Sequence, residues 1–174
     1  MRLLADAERL RRFLRAFARD ADGPTDVYLT GGSTAVLLGW REATIDADLL
    51  IVPERDALLR ALPRLKEELQ INVEIASPPH FIPELPGWRE RRIFIVGEGQ
   101  VSFYHYDPYS QALAKIERGH AKDLADVDEL IGRGLVERAR LRELFDAIEP
   151  QLYRYPAVDP RAFRRAVEEC LRGR

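Results

Sequence analysis

The sequence predicts an α/β (α+β) protein, a β-sheet flanked by helices with a helical C-terminal third, on three observations. Residues Val27 to Val52 read as strand, glycine turn, short helix and strand. Short apolar runs at 71–75, 91–96 and 101–106 supply further strands. From residue 108 onward the apolar residues recur at helical spacing.

Taken in order, Leu3 to Ala21 is an expected amphipathic helix, with Leu4, Ala7, Leu10, Leu14 and Phe17 at three- and four-residue steps. Asp22-Gly23-Pro24 stops it. Val27 to Leu29 is a strand that delivers Gly31-Gly32-Ser33, and Thr34 to Leu38 is a short helix. Glycine suits a turn that needs positive φ or close approach to a phosphate. Ser33 beside a helix start is expected to serve as its N-cap and to face an anion there. The chain returns through Trp40-Arg41-Glu42 into a strand from Thr44 to Ile51, where Arg41 and Thr44 precede Asp46 and Asp48 and suit either orienting them or plain loop and strand-start positions. After Pro53, Glu54 to Leu69 is a helix with Leu58, Leu62, Leu65 and Leu69 inward. Ile71 to Ile75 is a strand, and 77–88 is a proline-rich loop. Arg91 to Val96 and Val101 to Tyr106 form a hairpin expected to extend the sheet past the strand of Glu74. Asp107-Pro108 opens a helix to Arg118, Gly119-His120 interrupts it, and helices over 123–131, 135–148 and 160–171 complete the chain. The division expected is a core over 1–107 and a helical part over 108–174 packed on it as one compact domain.

Composition narrows the class. With 46% hydrophobic residues over 174 positions, a single core needs no disulfide support, and the one cysteine, Cys170, can form none within the chain. No signal peptide or apolar run of spanning length is visible, so a cytoplasmic protein without membrane contact is expected. The net charge of −2 hides a gradient: residues 1–21 and 132–174 carry +3 each, and 22–131 carry −8. Only Lys66, Lys115 and Lys122 of 27 basic residues are lysines. The three histidines show no metal-ligand spacing, and His105, in an aromatic strand, reads as a packed edge residue.

The acidic middle contains one pattern with chemistry in it. Asp46 and Asp48 are two apart at the start of an apolar strand, so both project from one face. Two carboxylates about 5 Å apart repel by roughly 3 kcal/mol at an effective dielectric near 20. Magnesium relieves that repulsion, since it takes hard oxygen ligands and shares them with substrate phosphates. Glu74, between Val73 and Ile75, is a third acid; the lesser alternative on a half-buried strand is a solvent-facing position.

Gly-Gly-Ser, a gap of twelve residues, Asp46-Ala47-Asp48 and then Glu74 on a later strand together resemble the signature of the DNA polymerase β nucleotidyltransferase superfamily. The Gly-Gly-Ser form of the turn and the segment from Lys115 through Lys122-Asp123 to Asp126 are similar to the AbiEii-type bacterial branch. The resemblance spans about residues 25–130 and implies a nucleotidyltransferase-type mixed sheet. It implies Asp46, Asp48 and Glu74 as catalytic residues holding one or two Mg²⁺ ions. It further implies nucleotide binding, ATP among the candidates, through Gly31, Gly32, Ser33, Lys115 and Asp123. The activity implied is transfer of a nucleoside monophosphate from an NTP to a hydroxyl on tRNA or protein. A toxin paired with a cognate antitoxin is one form of it. The alternative is a non-catalytic module that keeps the fold and binds nucleotide or partner without turnover.

Overall fold

The computed structural model describes residues 3–173. Its architecture is the α/β (α+β) class expected, and the chain divides into two units. One unit comprises the chain up to Ser77 with Ile93–His105; the other comprises Pro78–Arg92 and the chain from Tyr106 on. The division is interleaved rather than a single cut at residue 107, because the β-hairpin returns to the sheet after the proline-rich segment has left it.

In the sheet unit, β1 (Ala5–Asp6) precedes α1 (Ala7–Ala18), followed by β2 (Thr25–Thr30), α2 (Gly32–Leu38), β3 (Ala43–Thr44) and β4 (Asp46–Val52). Then come α3 (Asp56–Glu68), β5 (Asn72–Ile75), β6 (Ile93–Glu98) and β7 (Val101–His105). The first helix starts later than its apolar pattern because Asp6 caps it, accepting from the Arg9 N–H at 2.8 Å. The two residues before it pair instead with β3.

The five-stranded sheet has the order β5-β4-β2-β7-β6, with β2–β4 and β6–β7 antiparallel and β2–β7 and β4–β5 parallel. This corrects the expected position of the hairpin. It joins β2 on the side opposite β4, and β5 is left as an edge strand. The physical reason lies in the residues: the central strand β2 is buried over Val27–Thr30, whereas four-residue β5 is polar and exposed at its end. A short polar strand suits an edge. One sheet face, with Val27, Leu29, Ala47, Leu49, Ile51, Val73 and Phe103, forms the core with Leu10, Phe13, Leu14 and Phe17 of α1 and Leu58, Leu62 and Leu65 of α3. Asp46 and Asp48 alternate with Ala47 and Leu49 and therefore stand on the opposite face.

The second unit holds α4 (Pro108–Arg118), α5 (Ala121–Gly132), α6 (Arg138–Ile148) and α7 (Pro160–Arg172). Its centre is α4, buried along Pro108 and 110–113 and again at Lys115 and Ile116. Asp107 caps α4 through the Tyr109 and Ser110 N–H groups and is itself clamped by Arg91, whose Nη2 lies 2.7 Å from Oδ2. Trp88 stacks on Tyr106 with centroids 4.3 Å apart. Residues 78–92 are thus part of the helical unit through specific bonds, which a proline-rich pattern does not disclose.

Candidate active site

The site begins with the turn between β2 and α2. Gly31 has φ +66°, a conformation that disfavours side chains, and a Cβ there would lie 3.0 Å from Asp48 Oδ2. Gly32 is tighter: a Cβ would fall 2.0 Å from Thr44 Oγ1. Gly31 thus lets the turn close on Asp48 of β4, and Gly32 lets it close on Thr44 of β3. Thr44 also donates to the Asp46 carbonyl at 3.0 Å, so it joins the turn to the start of β4.

Ser33 departs from its expected capping role. Gly31 is the N-cap of α2, with no side-chain cap bond, and Ser33 lies inside the helix. It is fully buried, and its hydroxyl has no hydrogen-bond partner among the described residues. A buried orphan hydroxyl is uncommon and calls for an occupant or a cost of about 1–3 kcal/mol. Next to it, Thr34 Oγ1 lies 3.0 Å from His105 Nδ1. His105 is not an edge residue: β7 is interior, between β2 and β6. Burial lowers its pKa from 6.5 to about 4, so the ring is neutral near pH 7.

The acids are brought together by strand register. Parallel pairing sets Asp48 opposite Glu74 and Asp46 opposite Asn72, so all four side chains share the face away from the core. Asp46, Asp48 and Asn72 are half-buried and Glu74 is exposed. Asn72 Nδ2 donates to Asp46 Oδ1 and, more weakly at 3.4 Å, to Glu74 Oε1. Among the described residues, no three His, Cys, Asp or Glu side chains form a group able to hold a metal ion as they stand. The donor chemistry still suits a hard cation. Two aspartates two residues apart present carboxylate oxygens on one face, and a glycine leaves room beside Asp48. Asn72 was the residue the acidic pattern passed over; its signal is the same alternate position on β5 that singles out Glu74.

Lys115 lies in the other unit and is 7% exposed. Its Nζ is 2.6 Å from Asp126 Oδ2 and 3.7 Å from Asp123 Oδ1, and Arg118 Nε donates to Asp123 at 2.7 Å. Burial works to raise the Asp123 pKa, but the hydrogen bond and charge of Arg118, with Lys115 and His120, hold it below the ordinary value. Lys115, Asp123 and Asp126 form a buried charge network, with Arg118 reaching it from the surface.

A mixed sheet with a Gly-Gly-Ser turn at one strand end and carboxylates on the next two strands has the layout of a nucleotidyltransferase domain. The chain belongs to the family described as nucleotidyltransferase of unknown function (DUF6036), whose model matches residues 8–170. No curated protein and no solved structure matches it.

Proposed function

We propose that this protein is a Mg²⁺-dependent nucleotidyltransferase that moves a nucleoside monophosphate from an NTP to a hydroxyl on RNA, such as tRNA, or on protein. The observation that supports it most is the β4–β5 register, which sets Glu74 directly beside Asp48 rather than across the sheet. A slip of one residue would have sent Glu74 into the core face.

Asp46 and Asp48 are the residues to hold one or two Mg²⁺ ions, and Glu74 is the third carboxylate of the set. A metal held by these residues would supply Lewis-acid stabilisation of phosphate oxygens. Glu74, the most exposed of the three, is assigned to accept the acceptor hydroxyl's proton. The phosphates are assigned to the turn at Gly31, Gly32 and Ser33, where the two glycines let the backbone close on Asp48 and Thr44. A phosphate role for Lys115 requires its pair with Asp126 to open, so the first phosphate contacts are assigned to the turn. Asp123 is bound to Arg118, so a nucleotide role for it likewise requires that pair to open.

The Gly-Gly-Ser turn and the Lys115–Asp126 segment favour the AbiEii-type branch, and with it a toxin role held in check by a cognate antitoxin in the cytoplasm. No helix among the described residues is long and apolar enough to cross a membrane. The test is label transfer from each of the four α-labelled NTPs to RNA or protein acceptors, with and without Mg²⁺. Magnesium-dependent transfer is expected. NTP binding with no transfer from any of the four would leave the non-catalytic binding module.

A further inference from the structure

The group in direct contact with Asp46 is an amide and not a second acid. Asn72 Nδ2 donates to Asp46 Oδ1 and reaches Glu74 Oε1 at 3.4 Å. Both carboxylates meet the same neutral amide. Charged ligands alone do not complete a metal-holding group among the described residues. The amide stands where the register puts it, opposite Asp46 and one alternation before Glu74.

We propose that Asn72 belongs to the cation site and works as an amide that turns over. Its NH₂ bridges Asp46 and Glu74; with a divalent cation on Asp46 and Asp48 it presents Oδ1 instead. The inference rests on the nucleotidyltransferase reading of this site. An Asn amide carries a two-proton donor on one side and an acceptor oxygen on the other, in nearly the same volume. Rotation about its last side-chain bond exchanges them without moving the backbone. The donor side stabilises two neighbouring carboxylates when no cation is present. The acceptor side is a neutral hard-oxygen ligand of the kind Mg²⁺ accepts. An aspartate at the same position would add a like charge beside Asp46 and serve only the metal-bound state.

The full-length chain supplies the test. Mn²⁺ binding is measured by calorimetry for the wild type, N72L and N72D. The Asn72 side-chain NH₂ resonances are followed by NMR as MgCl₂ is added. The expected result is at least a tenfold loss of Mn²⁺ affinity in N72L. N72D should bind at least as tightly as the wild type but melt lower in metal-free buffer. The Asn72 NH₂ resonances should shift on saturation with Mg²⁺. If the wild type binds no divalent cation, the nucleotidyltransferase reading falls and this inference with it. If the wild type binds Mn²⁺ and N72L binds equally well, with the NH₂ resonances unmoved by Mg²⁺, only the role of Asn72 is overturned. Should N72L fail to fold, N72D decides: weaker binding than the wild type rejects the amide as a ligand.

Discussion

The two units each contain a cluster of acids, and the clusters are built on opposite principles. On the sheet, Asp46 and Glu74 share one neutral amide donor, and Glu74 is exposed. Among the helices, Asp123 and Asp126 are buried and meet Lys115 and Arg118 at ion-pair distance. The helical cluster has its charge matched within the fold, so its stability depends on every member remaining. Asp46 and Glu74 lean on a neutral donor, which leaves repulsion that a metal or substrate can relieve. A run of acids in a sequence therefore says little until their partners are known.

The contrast breaks most severely at the sheet. D46N/D48N is expected to abolish Mg²⁺-dependent nucleotide transfer while the metal-free melting temperature stays level or rises. About 3 kcal/mol is the upper scale of the repulsion relieved. Unfolding of this variant in metal-free buffer, seen by circular dichroism, would make the pair structural and erase the contrast. E74Q should retain NTP binding by calorimetry and lose most of the turnover; full turnover would remove Glu74 from the proton-accepting role.

At the helical cluster the expectation reverses. K115M leaves Asp126 buried without its ammonium, and loss of one partner of a buried pair costs about 3–5 kcal/mol. For a chain of this size that lowers the melting temperature by roughly 10 °C. NTP affinity measured well below that temperature separates the remaining possibility. An unchanged affinity makes Lys115 purely structural, whereas a loss larger than the stability change restores it as a phosphate ligand.

His105 predicts a pH effect of about 3 kcal/mol at most. Its pKa is depressed to about 4 in the fold against 6.5 as the ordinary value. The unfolded chain therefore takes up the proton first, and the associated stability is lost as pH falls from 6.5 towards 4. His105→Gln should flatten that part of a urea-melt series; an unaltered slope would show that other groups carry it. The smallest effect belongs to the Arg60–Asp56 pair, whose side chains are 81% and 82% exposed. Arg60→Ala should change stability by less than about 0.5 kcal/mol, the solvent-screened counterpart of K115M.

Much of this was legible in the residues themselves. Apolar periodicity located every long helix to within a few residues, and Asp107-Pro108 marked the start of α4 because capping is a local interaction. The spacing of Asp46 and Asp48 was enough to put them on one face, since alternation is a property of any strand. What happens between strands was not legible. Strand order put β7 beside β2 and left β5 at the edge, and register set Glu74 beside Asp48 and Asn72 beside Asp46. Ser33 was pulled into α2 as a buried hydroxyl, and Lys115 into a charge network. The division comes from range. Helix periodicity, caps and strand alternation depend on neighbours a few residues away, which the sequence displays. Register, burial and charge pairing depend on segments tens of residues apart, which only folding brings into contact.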